Sequence, residues 1–257
     1  MRLDLYLFQN GFVKSRQRAK SLIEEGNVKI NGAIATKPSY EMDLATEYKI
    51  EIIDSCPYVS RGGLKLEKIL EITKVDVENK TCLDIGASTG GFTHCLLLKG
   101  AKRVYAVDSG TDQLSAELRK DPRITSMENY NARNLSIDDI GERVDIITID
   151  VSFISQNLIM PCACRILKDD GVYLSLIKPQ FEVGRALVGK GGIVKDKRAR
   201  LIAVQSVMEC ACNLGLICTE FSKSPIQGGD GNIEYLAAFS KCGKAVSEEY
   251  IKKIVFE

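Results

Sequence analysis

In CLDIGASTGGF, residues 82–92, an apolar run carrying Asp84 enters a turn of Gly86, Ser88, Gly90 and Gly91 before Phe92. Glycines this dense let a backbone approach a ligand closely, because no Cβ intervenes. A glycine-rich turn alone is equally an ordinary strand-to-helix corner, so its surroundings decide. The next apolar run, RVYAVD, ends in Asp108, roughly twenty residues on, where a carboxylate can take a ribose hydroxyl pair. Turn and acid together suggest a nucleoside-containing ligand. The spacing D-x-G-A-S-x-G-G-F departs from the G-x-G-x-x-G of dinucleotide sites, and no G-K-[ST] follows to hold a triphosphate. Asp150 and Lys178 each close a further apolar run, and open α/β sheets place their ligands at such strand ends. A structural ion pair is the plain alternative for these two.

A second chemistry sits near the N-terminus. In SRQRAKSLIEEG, Ser15 is a candidate N-cap and Gly26 a stop, with Ala19, Leu22 and Ile23 on one face. Arg16, Arg18 and Lys20 fall near the positive end of that helix, and Glu24 and Glu25 near its negative end. Each such charge costs about 0.3–1 kcal/mol at an exposed position. Phosphates at this helix end, with Lys14 and Arg2 in the same stretch, offset that cost; a solvated charged face is the plain alternative. The net charge is only +1, so nucleic-acid contact has to come from local patches of this kind. GRALVGKGGIVKDKRAR, carrying Lys190, is another such stretch, readable as a lid over RNA or as a solvated loop.

The nine cysteines and single histidine, His94, do not form a metal-ligand pattern: Cys162/Cys164 and Cys210/Cys212 are C-x-C pairs within expected helices, pointing different ways. No metal is expected. Free thiols suit a reducing cytoplasm, and no apolar run has membrane-spanning length.

The elements that position these residues fall into two groups. Residues 1–59 read as a small α+β module and linker, with the hairpin NVKINGAIATKP turning at Asn31-Gly32. From residue 60 helices and strands alternate, with a helix at Leu64–Ile72 and strands at Thr81–Ile85, Arg103–Val107, Val144–Ile149 and Val172–Ile177. Strands apolar throughout belong in a parallel sheet covered on both faces. A helix at Lys197–Leu214, strands at Leu216–Ser222 and Ile233–Ser240, and a short terminal helix follow.

LDIGASTGGF with AVD resembles motif I and the following acid of class I S-adenosylmethionine-dependent methyltransferases, and RLDLYLFQNGFVKSRQRAKSLIEEGNVKING resembles the S4 RNA-binding domain. The order S4, YVSRGGLKL, DIGASTGGFT, ENYNARNL, DVSFIS, LIKPQFE, GNIEYL resembles the hemolysin A (TlyA) family of ribosomal-RNA 2′-O-ribose methyltransferases. The resemblance implies an S4-like RNA-binding domain over residues 1–59 and an FtsJ-like, Rossmann-like α/β methyltransferase domain over residues 60–257. It implies S-adenosylmethionine bound by Asp84, Gly86, Ser88, Gly90, Gly91, Phe92, Asp108, Asn131 and Asp150, and a catalytic tetrad of Lys65, Asp150, Lys178 and Glu234. Ribosomal RNA or a ribosomal subunit is the implied partner, with Arg2, Lys14, Arg16, Arg18, Lys20 and Lys190 as its contacts and a cytidine as the target. Nothing resembles a pore-forming segment, and the oligomeric state stays open.

Within the implied chemistry, Lys178 orients and deprotonates the hydroxyl while Lys65 supports developing negative charge. A lysine at its ordinary pKa of about 10.4 is charged at neutral pH. The role therefore demands surroundings that favour the neutral amine, such as desolvation and a neighbouring cation. Base amino-group methylation fits less well, because DVSF stands where D/N-P-P-Y/F/W is expected. Cytosine C5 methylation needs a nucleophilic cysteine, and Pro161-Cys162 lies in an apolar helical stretch where burial is the better reading. A non-catalytic ribosome-assembly factor with a vestigial methyltransferase fold is the rival of another class, and the intact tetrad argues against it.

Overall fold

The computed structural model of the chain describes residues 1–13, 16–24, 26–53, 56–228 and 231–257. They form two compact units, Met1–Pro57 and Tyr58–Glu257.

The first unit packs two helices, α1 (Leu3–Gln9) and α2 (Arg16–Glu24), with a three-stranded antiparallel sheet of β1 (Val28–Ile30), β2 (Ala33–Ala35) and β3 (Ile50–Ile52). Leu3 and Leu7 of α1 meet Ala19, Leu22 and Ile23 of α2, with Val28 and Met42 completing a small core. The hairpin turns where expected: Asn31 and Gly32 both hold positive φ, +52° and +83°, as a two-residue hairpin turn requires. Ser15 and Glu25 lie outside the described residues.

In the second unit, α3 (Gly62–Thr73) buries Leu66, Ile69 and Leu70 at helical spacing and stops at Lys74, which holds a left-handed φ of +56°. There follow β4 (Thr81–Ile85), α4 (Gly91–Leu98), β5 (Arg103–Val107), β6 (Ile124–Met127), α5 (Ile137–Ile140), β7 (Val144–Ile149), α6 (Met160–Ile166) and β8 (Leu167–Ile177). The chain ends with α7 (Pro179–Glu182), α8 (Lys197–Asn213), β9 (Ile217–Lys223), β10 (Tyr235–Ser240) and α9 (Glu248–Phe256). The seven strands form one sheet in the order β6-β5-β4-β7-β8-β10-β9, parallel from β6 to β8, with β10 antiparallel to both its neighbours. Strand order reverses between β4 and β7, and a crevice at the carboxyl ends of strands at such a point is where open α/β sheets take ligands.

β4, β5 and β7 coincide with the apolar runs read from sequence. β8 begins earlier than Val172, since Leu167 pairs with Val144 and the ladder resumes at Ile146–Val172 across an irregularity. The exposed Asp169 and Asp170 that resemble a turn are carried in that irregularity. Cys162 is buried in α6, its thiol directed at the carbonyls of Ile159 and Ala132. Among the described residues no helix is long and apolar enough to cross a membrane, and no group of three or more His, Cys, Asp or Glu could hold a metal ion.

Candidate active site

A cavity of about 420 Å³ opens at the carboxyl ends of β4, β5 and β7, within the size range of small-ligand sites. Asp108, following β5, is one of its polar walls. Its Oδ2 accepts from Ser88 N and its Oδ1 from Gly110 N, both at 2.7 Å. Each oxygen keeps a further lone pair for a ligand hydroxyl. Ser88 reaches this position with a left-handed φ of +48°, a conformation that L-residues other than Asn and Asp seldom hold. Tyr130, Ala132, Val151, Ile154 and Ile159 supply apolar wall. An acid for a hydroxyl pair beside a surface for a planar ring suits a nucleoside.

Of the residues expected at a cofactor, the structure brings Gly86, Ser88, Asp108, Asn131 and Asp150 to this cavity. Asn131 also caps a short turn, its side chain accepting from Arg133 N at 3.1 Å. Asp84, Gly90, Gly91 and Phe92 are not among the residues that line it. Asp84 is fully buried, with Oδ2 accepting from Thr93 Oγ1 at 2.6 Å and Oδ1 from Thr148 Oγ1 at 2.9 Å, so it ties β4 to α4 and β7. Burial pushes its carboxyl up to about 6, the two threonine hydroxyls pulling the other way. A Cβ on Gly90, whose φ is +96°, would come within 2.3 Å of Leu118 Cδ1 and 2.8 Å of Leu114 Cδ1; one on Gly91 would come within 2.2 Å of Ser60 Oγ. Phe92 is 4% exposed and sits against Gly62. These two glycines make room for protein. Only Gly86 serves both needs, since it lines the cavity and a Cβ there would strike the Asp150 carbonyl oxygen at 2.4 Å.

Lys65, Asp150, Lys178 and Glu234 form two ion pairs. Lys178 Nζ, just past β8, lies 2.5 Å from Asp150 Oδ1, just past β7, and donates to Ser152 Oγ at 2.9 Å. Lys65 of α3 donates to Glu234 Oε2 at 2.5 Å, with residue exposures of 8% and 3%. Glu234 precedes β10, which pairs Tyr235 with Ile177, so the antiparallel ladder carries Glu234 alongside Lys178. Its carboxylate nevertheless engages Lys65. Ser152 and Asn232 are site residues outside the sequence expectations. Asn232 is 1% exposed, accepts from Val194 N at 3.0 Å and donates to Gly192 O at 2.9 Å, fastening the basic stretch that contains the exposed Lys190 to the residues before Glu234. Polar residues inside the quoted stretches DVSF and GNIEYL were the available signal.

In the N-terminal unit the reversed charges of α2 have a partner. Asp4 of α1, 2% exposed, accepts from Arg2 Nε at 3.0 Å, Arg2 Nη2 at 3.2 Å and Arg16 Nε at 2.9 Å. Burial pushes the Asp4 carboxyl up, and the bonds from Arg2 and Arg16 more than offset it, leaving it below its ordinary value. The cost expected for Arg16 at the positive end of α2 is therefore offset within the protein: α1 supplies the acid that α2 lacks. Arg2 and Arg16 stay about half exposed, with side-chain exposures of 45% and 51%. Arg18 is half-buried, Lys20 is exposed and 3.8 Å from Glu24, and Lys14 lies outside the described residues.

The chain resembles known proteins along its whole length. Residues 58–241 match the FtsJ-like methyltransferase model and residues 1–44 the S4 domain model. Hemolysin A of Brachyspira hyodysenteriae is 42% identical over 93% of this chain and 99% of its own length. The 16S/23S rRNA (cytidine-2′-O)-methyltransferase TlyA of Mycobacterium tuberculosis is 42% identical over 91% of this chain and 87% of its own. A solved structure from Streptococcus thermophilus that carries the hemolysin name is 40% identical, covers 100% of this chain and 94% of its own, and superposes with a TM-score of 0.80. With an S4 domain at its N-terminus, the chain belongs to the FtsJ-like methyltransferase family.

Proposed function

We propose that the protein transfers a methyl group from S-adenosylmethionine to the ribose 2′-hydroxyl of a cytidine in ribosomal RNA, acting on ribosomal subunits in the cytoplasm. One observation carries the reading. Asp150 lines the nucleoside-sized cavity and also holds Lys178 in an ion pair at 2.5 Å, so cofactor wall and candidate base share a residue.

The donor set fits S-adenosylmethionine: Asp108 for the ribose hydroxyls and the Tyr130, Ala132 and Ile154 wall for the base. Bound there, this cofactor supplies an electrophilic methyl on a sulfonium centre. An ammonium has three donor positions; Ser152 Oγ takes one of those on Lys178 while Asp150 pairs with its charge, so Nζ keeps capacity for a substrate oxygen. Fixed in this way, Lys178 aligns the hydroxyl, and alignment supplies much of the rate gain in a transfer of this kind. Once the ammonium has given a proton to solvent, Lys178 Nζ would take the hydroxyl proton, while the bound cofactor would supply the methyl group. Lys65, held by Glu234, supports negative charge developing on the oxygen. The half-exposed Arg2 and Arg16, with Arg18, Lys20 and Lys190, take backbone phosphates. Such contacts set affinity and register rather than sequence choice.

The reading is tested by incubating the full chain with methyl-labelled S-adenosylmethionine and purified ribosomal subunits. Label is expected in the RNA. Label confined to protein, or absent, overturns the reading.

A further inference from the structure

A carboxylate that the proposed chemistry does not use holds the corner beside Lys178. Glu182 is the last residue of α7, four positions beyond Lys178. Its Oε2 accepts from Ser155 Oγ at 2.5 Å and its Oε1 from Gln156 N at 3.1 Å. Both donors belong to the segment that leaves β7 at Asp150. The Gln156 side chain, 1% exposed, accepts from Ser175 Oγ at 2.6 Å and donates to Leu176 O at 3.4 Å, fastening the same segment to β8. At the near end of the segment, Asp150 and Ser152 grip Lys178 Nζ.

The stretch between the two fastenings is strained. Phe153 holds a φ of +63° and is 93% exposed. A non-glycine residue keeps that conformation only where its surroundings over-determine it. Among the described residues Glu182 pairs with no cation, and burial pushes its carboxyl above the ordinary value while Ser155 and Gln156 oppose the shift. A half-buried carboxylate without a cation carries a desolvation cost, so filling space does not account for it. What a carboxylate offers is two acceptor oxygens for two converging donors. A glutamine offers one, and the Ser155 hydroxyl cannot freely reverse because its oxygen already accepts from Asn157 N at 3.2 Å.

We propose that Glu182 is a positioning residue: by accepting from Ser155 and Gln156 together it fixes the Asp150–Gln156 segment in the conformation that presents Asp150 Oδ1 and Ser152 Oγ to Lys178 Nζ. The inference rests on the reading of Lys178 as the residue that acts on the hydroxyl.

The test uses the full chain with Glu182→Ala, Glu182→Gln and Glu182→Ala/Ser155→Ala. It measures kcat and KM for methyl transfer to ribosomal subunits, melting temperature, and amide exchange over residues 150–156. For Glu182→Ala, kcat should fall on the order of ten- to a hundredfold at a temperature well below melting, the KM for RNA should change little, and exchange at Gln156 should accelerate. Glu182→Gln should recover only part of the lost kcat, through the Gln156 bond it retains, and removing the Ser155 hydroxyl together with the Glu182 carboxylate should add little to the loss in Glu182→Ala, since the two act as one unit. Wild-type kcat in Glu182→Ala, or a loss that glutamine does not relieve, overturns the inference. Unchanged exchange at Gln156 overturns it without reference to any RNA. Wild-type protein that transfers no methyl to ribosomal RNA overturns the reading of Lys178 instead, and the exchange experiment still decides whether Glu182 fixes the segment.

Discussion

Asp150 and Asp84 show how differently two carboxylates at neighbouring strand ends can serve. Asp150 lines the cavity and is paired with Lys178, so removing the lysine should affect turnover and leave the cavity walls standing. For Lys178→Ala, kcat should fall by about two to four orders of magnitude, the range for losing a general base. Calorimetric affinity for S-adenosylmethionine should stay near wild type. A large loss of cofactor affinity would place Lys178 in binding instead. Asp84 is sealed between Thr93 and Thr148 with a folded-state value near 6 against an ordinary 3.8. Because the folded state binds this proton more tightly, the associated stability is fully present below the unfolded value and lost as pH rises through about 6. Lowering pH from 7 to 5 should therefore stabilise wild type relative to Asp84→Asn by about 1 kcal/mol. Denaturant melts at the two pH values read this directly. A difference of zero or of opposite sign would contradict the burial-driven shift.

At the scale of elements, the glycine turn before α4 and the reversed helix α2 are where structure changes the meaning of sequence. The turn reads as an opening for a ligand, yet Gly90 faces Leu114 and Leu118 and Gly91 faces Ser60. Gly90→Val should lower stability by about 2–4 kcal/mol through overpacking and a left-handed φ. Calorimetry at low temperature should still find cofactor affinity in whatever remains folded. For α2, Arg16→Glu sets a carboxylate against buried Asp4 and should lower the melting temperature together with RNA affinity. Lys20, exposed and weakly paired with Glu24 at 3.8 Å, belongs to a class of surface pair worth about 0–1 kcal/mol. Lys20→Gln should weaken subunit binding and flatten its salt dependence without moving the melting temperature. Unchanged salt dependence would remove Lys20 from the RNA surface. Side-chain partners such as Asp4–Arg16, 12 residues apart, depend on how two helices cross, and no local pattern reports that crossing.

At the scale of the molecule, strands β4, β5 and β7 are legible because a parallel strand buried on both faces is apolar throughout. β6 has no bounds in the sequence reading, being a half-exposed edge strand of four residues, ITSM. Asp108, Asp150 and Lys178 are legible because each ends an apolar run. Which cation meets which acid is not: Lys65 and Glu234 stand 169 residues apart, and only the antiparallel insertion of β10 beside β8 brings them together. At this scale the proposed function is that the cavity and Lys178 together place a methyl group on a ribose oxygen. Nuclease digestion of the ribosomal RNA after reaction, followed by mass spectrometry of the nucleosides, reads that position. Wild-type protein should yield 2′-O-methylcytidine and Lys178→Ala none above background. A methyl group on a base, or equal yield from the lysine variant, would contradict the account.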